Sequence, residues 1–201
     1  MNNLRNLPKA LCSFTILLIL TLPLQSVSQG KYSTNGTGKI VVNGTSNIHD
    51  WKMESGKGTC SGTFTLDAAG ALTAISGLTF TMPVSTMKSE HGSQMDNNAY
   101  KAIGVDKNPN ITFSSNAATV TPKGGNTFSI SAPGKLQISS ATKDVTLVAT
   151  GKVNPDKSVT IDGSYKLVTT DYNVKPISIM LGAIKTSANV TVSYSLIMKP
   201  L

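Results

Sequence analysis

The stretch DVTLVATGKV-NPDK-SVTIDGSYKLV, residues 144–168, decides the fold class of this chain. Apolar and polar side chains alternate through Val145, Leu147 and Ala149, and the alternation resumes after the Asn-Pro-Asp-Lys segment at 154–157. Alternation with a period of two predicts a β-strand with one buried face, and a short segment of this composition predicts a turn. The stretch therefore predicts two antiparallel strands joined by a tight turn.

Strand patterns of the same kind extend from this hairpin in both directions. Toward the C terminus, apolar side chains alternate from Val190 to Met198. Toward the N terminus, Thr, Val, Ile and Ser dominate, which favours strands. The strand candidates there are residues 40–42, 48–53, 59–66, 72–84, 110–120 and 127–138, with turns predicted at Asn43-Gly44, 67–70 and 122–126. Pro133-Gly134 interrupts the last of these candidates and predicts a bulge or an edge position.

One segment has a different period. Met95, Ala99, Ala102 and Ile103 are spaced by three and four residues, which predicts one apolar face of a helix over 93–103. Ser93 is the predicted N-cap, and Gly104 is a natural C-terminal stop.

Many strands in succession with a single helical insertion predict an all-β protein. Antiparallel strands in series close most simply into an up-and-down barrel, which removes exposed edges, and about eight strands can enclose one ligand. An immunoglobulin-like sandwich is the alternative, but it needs only about 100 residues. We therefore predict an eight-stranded antiparallel barrel with one short helical insertion.

The first 28 residues have the layout of a secretory signal peptide. Arg5 and Lys9 make a positive start, 10–24 is an apolar run, and the small residues Ser26 and Ser28 suit a signal-peptidase site. We expect cleavage after Ser28 and export to the periplasm or the extracellular space. The alternative is a membrane anchor that stays attached, although the apolar run is shorter than the roughly 20 residues that span a bilayer.

The remaining chain divides into a predicted flexible leader, residues 29–39, and one domain, residues 40–201. The formal net charge of the whole chain is +8, but its only arginine is Arg5 and its lysines are scattered. Arginine is the usual residue for bidentate phosphate and base contacts, and nucleic-acid-binding surfaces are normally clustered. We therefore predict no nucleic-acid partner and interpret the charge as a solubility feature or as mild attraction to anionic lipid head groups.

Residues that could support catalysis or metal binding are few. His49 and His91 are the two histidines, and no spacing typical of a metal site involves them. No nucleophile elbow or phosphate-binding loop is present. We therefore predict no enzyme activity and no metal, with a hydrolase using His49 or His91 as a minor alternative. Cys60 is expected to be a small core residue.

Four short stretches of the chain, taken in their order, indicate a resemblance to a known family. Residues 44–51 read GTSNIHDW, residues 82–85 read MPVS ahead of the predicted helix, and residues 108–113 read NPNITF. A late loop, residues 175–185, reads KPISIMLGAIK. In this order they resemble the YceI-like family of exported lipocalin-like proteins. NPNITF closely resembles the family's Tyr-Pro-x-Ile-Thr-Phe motif, with Asn108 in place of the aromatic residue.

The resemblance spans residues 40–198 and implies a lipocalin-like barrel with a cavity. It also implies export and, by analogy with some members, a bound polyisoprenoid such as an isoprenoid quinone. Arginines that are typical of the helical insertion in many relatives are absent, and Lys88, Lys101 and neutral residues take their place.

Together, these observations predict an exported protein that holds an apolar, isoprenoid-type lipid in a barrel cavity and needs no other cofactor. The alternative is a structural or partner-binding envelope protein with a filled barrel. Transient membrane contact and a homodimer stay open. His49 is expected to act as a polar anchor for the ligand. The residues predicted to contact the ligand are His49, Trp51, Phe80, Met82, Met95, Tyr100, Phe113 and Met180.

Overall fold

The structure, a computed structural model, describes residues 27–201. The predicted signal peptide lies almost wholly outside the described residues. No helix within 27–201 is long and apolar enough to cross a membrane. The strands and the helix are β1 Ser28–Ser33, β2 Gly38–Ser46, β3 Asp50–Leu66, β4 Leu72–Pro83, β5 Lys88–Ser89, α1 Ser93–Ile103, β6 Asn110–Gly124, β7 Thr127–Ile138, β8 Ala141–Val153, β9 Val159–Val168, β10 Ser178–Ile179 and β11 Ile184–Pro200.

Eight long strands form a closed antiparallel barrel in the order β2, β3, β4, β6, β7, β8, β9 and β11, and β11 pairs again with β2. The prediction of an all-β, eight-stranded, lipocalin-like barrel with one short helix is confirmed. The hairpin predicted over residues 144–168 is β8–β9, in which Gly151 pairs with Ile161. On its other side β9 pairs with β11, and Ile161 lies opposite Leu196. The apolar positions of the three alternating segments therefore share the inner face.

The prediction of a flexible leader over 29–39 is wrong. Strand β1 pairs with β3 and β11, and β2 continues along the same two strands, so β1 and β2 form one interrupted barrel strand. The buried side chain of Thr34 supports the interruption, because its hydroxyl donates to the Gly58 carbonyl at 3.1 Å and accepts from the Cys60 N–H at 2.9 Å. Composition alone did not reveal these long-range bonds.

The structure differs from two other local predictions, the turn at Asn43-Gly44 and the bulge at Pro133-Gly134. Asn43-Gly44 lies inside β2, and the first turn instead follows Ser46, whose N–H and hydroxyl donate to the His49 carbonyl at 3.0 and 2.7 Å. Gly44 is required within the strand because the Trp51 ring occupies the place where a Cβ would stand. The bulge predicted at Pro133-Gly134 lies on the facing strand β6, where the register shifts between Ser114 and Thr119.

The barrel has two unlike ends. At one end, which we call the floor, the connections are short turns and the interior is filled by side chains that are almost completely buried. The floor side chains include Phe64, Leu72, Ile75, Phe128, Val159 and Met198. At the other end, which we call the mouth, lie the β2–β3 turn, the crossover with α1 and the loop from Thr169 to Ala183. The floor supplies packed core, and the mouth holds the irregular structure.

Helix α1 forms as predicted and ends at Gly104, whose left-handed conformation directs its N–H to the Tyr100 and Lys101 carbonyls. Its N-cap is Gly92, and Ser93 is the first helical residue. The buried carboxylate of Asp96 fixes the helix to the crossover, because it accepts from the Ser89 N–H at 2.7 Å and lies 3.3 Å from the Lys88 ammonium.

We predict that Asp96→Ala lowers the free energy of unfolding by about 1–3 kcal/mol, because the Ser89 N–H loses its acceptor in a buried site. Urea denaturation measures this change. Asp162→Ala is the matched control, because Asp162 is exposed on β9, and it should change stability by less than about 0.5 kcal/mol. Equal effects of the two substitutions would contradict the role given to Asp96.

Candidate ligand-binding cavity

A cavity of about 200 Å³ lies inside the barrel between the floor and the mouth. All eight barrel strands contribute to its wall, together with Met87 and Ile103 from the crossover. Its wall contains only apolar side chains, the thiol of Cys60 and two tyrosines, and none of these described residues is charged. The cavity is therefore suited to hydrocarbon and unsuited to ions.

Short side chains leave this space open. Ala132 on β7, Ala149 on β8 and Cys60 on β3 occupy inward positions that large residues hold in the floor. Gly163 on β9 has no side chain, and the ring of Tyr194 lies across it, within 2.5 Å of where a Cβ would stand. A residue larger than glycine at 163 would displace this tyrosine.

Tyr194 on β11 reaches along the inner wall across β9 to bond with β8. Its hydroxyl donates to the Val148 carbonyl at 3.0 Å, and burial raises its pKa to about 12, so that it keeps its proton, and the bond, further into the alkaline range than an exposed tyrosine. The Val148 carbonyl is free to accept because β8 and β9 pair only from Ala149–Gly163 toward the floor. The tyrosine therefore satisfies a backbone group that the sheet leaves unpaired.

A seam separates the mouth-side halves of β8 and β9. Residues 141–148 and 164–168 form no ladder pairs with each other, although each strand stays paired with its other neighbour. The cavity residues Leu147 and Tyr165 border this seam. The buried Tyr172 packs in the same core cluster, and Asn173 donates its side-chain amide to the Ser140 hydroxyl at 3.1 Å.

A second, wider pocket of about 810 Å³ opens at the mouth. It shares Leu167 and Val190 with the wall of the cavity, and Trp51 forms part of it. Charged side chains also line it, including Lys166 and the ion pair of Lys52 and Glu90, whose atoms lie 3.5 Å apart. An apolar interior thus adjoins a polar pocket.

The residues predicted to contact a ligand do not all meet in the cavity. Phe80, Met82 and Phe113 belong to its wall. Trp51 lies in the mouth pocket, half-buried over Gly44, and its indole N–H donates to the Thr45 carbonyl at 3.1 Å.

The other four predicted residues lie away from the cavity wall, as Trp51 does. Tyr100 donates its hydroxyl to the Met87 carbonyl at 2.6 Å, so it fixes α1 to the crossover. Met95 is half-buried on α1. His49 is exposed in the β2–β3 turn, with Nδ1 2.7 Å from the Asp50 carbonyl oxygen. Met180 is 72% exposed, because its loop projects from the mouth. Met180 and His49 therefore do not line the cavity wall, and contact of either residue with a ligand stays a prediction.

Alternation along the strands predicts the cavity wall better than the residue type and chain position on which the predicted ligand contacts were based. Tyr165, Leu167, Val190, Val192, Tyr194 and Leu196 all line the cavity, and all belong to the alternating segments used to predict strands. Following the inward face along each strand would have found them, because successive side chains point to opposite faces of a barrel wall.

The two histidines meet at the mouth, with ring centroids 4.8 Å apart. Within residues 27–201, no group of three or more His, Cys, Asp or Glu side chains is arranged to hold a metal ion. This pair lies outside the cavity wall.

Cys60 belongs to the cavity wall, and its burial there changes the pKa of its thiol. Burial raises the pKa of its thiol to about 12, so the folded state keeps the proton where an unfolded chain loses it. The stability that follows is fully present below the unfolded pKa of about 8.5 and is lost as pH rises toward the folded value. We predict that the free energy of unfolding falls less in the Cys60→Ala variant than in the unsubstituted protein when the pH rises from about 8 to about 10.5, because the variant has no thiol to titrate. Urea unfolding at both pH values tests this, and equal losses would contradict it.

Comparison with known proteins places this architecture in a family. Residues 27–198 match the sequence model of the YceI-like domain. No curated protein matches the chain. The crystal structure of BcnA from Burkholderia cenocepacia is similar to it, with a TM-score of 0.57 and 18% sequence identity over 80% of this chain and 95% of that one.

A second similar structure is a polyisoprenoid binding domain from Saccharophagus degradans, described as implicated in plant cell wall breakdown. Its TM-score is 0.61 at 8% identity, and the match covers 87% of this chain and 100% of that domain. Identities this low show a common fold. The match over residues 27–198, on a barrel of this topology, establishes that the chain belongs to the YceI-like family.

Proposed function

We propose that this protein is exported and binds an apolar, isoprenoid-type lipid in the barrel cavity without catalysing a reaction. The observation that supports this most directly is an interior space of about 200 Å³ whose wall holds no charged side chain. Each methylene group transferred into such a site contributes about 0.8 kcal/mol. A hydrocarbon chain is the ligand that gains most from this wall.

The energetic cost of the empty space also supports a ligand. On the scale measured for core truncations, an unfilled apolar cavity of this size costs on the order of 5 kcal/mol. Domains commonly have only about 5–15 kcal/mol of stability in total. The floor of the same barrel is filled, so the chain was able to fill its interior with large side chains. A bound ligand that fills the cavity is therefore the best explanation for why the space is kept.

The dimensions favour a slender ligand. Sites for small molecules commonly measure about 300–1,000 Å³, and this cavity is smaller. A long chain would extend beyond it into the mouth pocket, with which the cavity shares Leu167 and Val190. The flexible thioethers of Met82 and Met87 would adjust around the chain. The polar end of the lipid, a quinone ring for example, would then lie near Lys52 and Lys166.

The relatives support the class of ligand. The S. degradans domain is described as polyisoprenoid binding and has the same fold. Export is proposed from the signal-peptide layout of the first 28 residues, with the periplasm or the extracellular space as the destination. Because an isoprenoid lipid is poorly soluble in water, a protein that encloses its hydrocarbon chain would allow it to cross such a compartment.

A structural or partner-binding envelope protein is the second candidate. The observation that favours it is the small cavity, which lies below the usual range for ligand sites. Under this alternative, large residues introduced into the cavity would have no effect on any ligand, and purified protein would contain no lipid.

We predict that Ala132→Phe weakens binding of the hydrocarbon probe diphenylhexatriene by about tenfold or more, because the new ring occupies the space that the probe needs. The unfolding free energy should change little, since the ring fills an existing cavity. Probe fluorescence with geranylgeraniol as the competing ligand measures affinity, and urea denaturation measures stability.

The matched control is Ser131→Phe, one residue earlier on β7 and on the opposite face of the strand. It should leave probe affinity unchanged. Native mass spectrometry of protein purified from its host should detect a co-purifying isoprenoid lipid. The proposal fails if that protein holds no lipid and neither probe nor isoprenoid alcohol binds in vitro.

A further inference from the structure

The loop after β10 forms an exposed apolar projection at the mouth. Residues 178–185, which we call the apolar finger, fold back as Ser178 pairs with Lys185 and Ile179 with Ile184. At its tip Leu181 is fully exposed and Met180 is 72% exposed, and Ile179 is exposed as well. Single exposed apolar residues are ordinary, but three consecutive large ones at a loop tip indicate an interaction site.

The β2–β3 turn adds a fourth apolar side chain to this surface. Asn47 binds the finger through three hydrogen bonds: its amide donates to the Ala183 carbonyl at 2.8 Å, and its carbonyl oxygen accepts from the Lys185 N–H at 2.9 Å. Its own N–H donates to the Lys185 carbonyl at 3.1 Å. Ile48, the next residue, is 59% exposed. The turn and the finger are therefore held together as one surface.

The finger keeps an unfavourable backbone conformation at its tip. Met180 and Leu181 have φ values of 52° and 53°, in the left-handed region that large side chains seldom adopt. Strain of this kind persists where the surrounding structure imposes it, and it is concentrated at functional sites. Here it directs two long apolar side chains away from the barrel.

The charges of the chain segment that carries the finger fit an anionic surface. Residues 172–189 include Lys175 and Lys185 and no Asp or Glu. Both lysines are exposed. Apolar side chains that enter the acyl boundary, together with lysines that reach lipid head groups, are the features of interfacial membrane binding. Four apolar side chains are too few for the roughly 800 Å² per partner that a stable protein interface buries.

We infer that the apolar finger and Ile48 form a membrane-docking surface, and that its partner is a bilayer containing anionic lipid. Docking there directs the mouth, and with it the cavity, toward the lipid from which an apolar ligand comes. The choice of a bilayer over a protein partner rests in part on the proposed function, since isoprenoid lipids reside in membranes. Docking itself depends only on the surface side chains and can be measured without ligand.

Flotation with vesicles of phosphatidylcholine and phosphatidylglycerol tests this inference on the full chain. We expect the protein to bind these vesicles and the double substitution Met180→Asn and Leu181→Asn to weaken binding by about tenfold or more, because two apolar side chains no longer enter the bilayer. Asparagine tolerates the left-handed region, so the loop should keep its conformation. Circular dichroism and thermal unfolding check the fold.

Val148→Ser is the matched control, because Val148 is 55% exposed on the outer wall of β8, away from the finger. It should bind vesicles like the unsubstituted protein. The double change Lys175→Gln and Lys185→Gln should weaken binding to vesicles with phosphatidylglycerol and leave the weaker binding to pure phosphatidylcholine unchanged. The only tryptophan, Trp51, lies near the same turn and should be quenched by brominated lipid in the bound state.

Three outcomes would overturn the inference: no vesicle binding by the unsubstituted protein, unchanged binding after the asparagine substitutions, or an equal loss with Val148→Ser. A dimer that the asparagine substitutions dissociate, seen by sedimentation velocity in place of vesicle binding, would assign the surface to a second copy instead. Diphenylhexatriene binding without vesicles separates this test from the proposed function. Vesicle binding without probe binding would refute the ligand and keep the docking surface, and the reverse result would refute docking alone.

Discussion

Closure of the barrel by β11 is the constraint on which every other feature depends. This strand pairs with β9 along one edge and with β2 along the other, so two edges that an open sheet would expose are both satisfied. It also brings Leu196 opposite Ile161 and Val190 opposite Leu167, which completes the apolar interior. Because a closed wall fixes the inward face of each strand and the distance between facing strands, side-chain size then decides how much of the interior is filled.

The two halves of the interior differ in the size of their inward side chains. Near the floor, Phe64, Phe128 and Met198 fill the barrel and supply the buried apolar area that stabilises it. Toward the mouth, Ala132 and Ala149 leave space, and the seam between β8 and β9 interrupts the wall. A stable floor thus allows the other half to be hollow. The ligand site proposed here depends on this division between packed and open halves.

The mouth concentrates the irregular structure, as is usual where a rigid scaffold positions a binding site. Asp96 and Tyr100 fix α1 to the crossover, and Asn47 fixes the apolar finger to the β2–β3 turn. Lys88 pairs with Asp96 and also donates to the Tyr100 hydroxyl at 3.0 Å. It therefore supports the helix, whereas Lys52, Glu90 and Lys166 line the mouth pocket.

Local pattern was enough to predict several parts of this structure. The helix over 93–103 and its stop at Gly104 follow from spacing and from glycine's access to the left-handed region. The β8–β9 hairpin follows from alternation on either side of a turn. The core position of Cys60 follows from its residue type. NPNITF and the other stretches then allowed the fold to be recognised by resemblance.

The remaining features depended on partners that are distant in the chain. Residues 28–33 have the composition of a loop and become a strand because β3 and β11 pair with them. Met180 is the same residue type as the buried Met82, and only its loop places it outside the barrel. The sequence by itself determined the alternating strands and the apolar face of each, because alternation is a property of neighbouring residues. Only the tertiary structure decided which apolar side chains line a cavity, fill the floor or project into solvent, because that depends on how far apart the closed wall holds the facing strands.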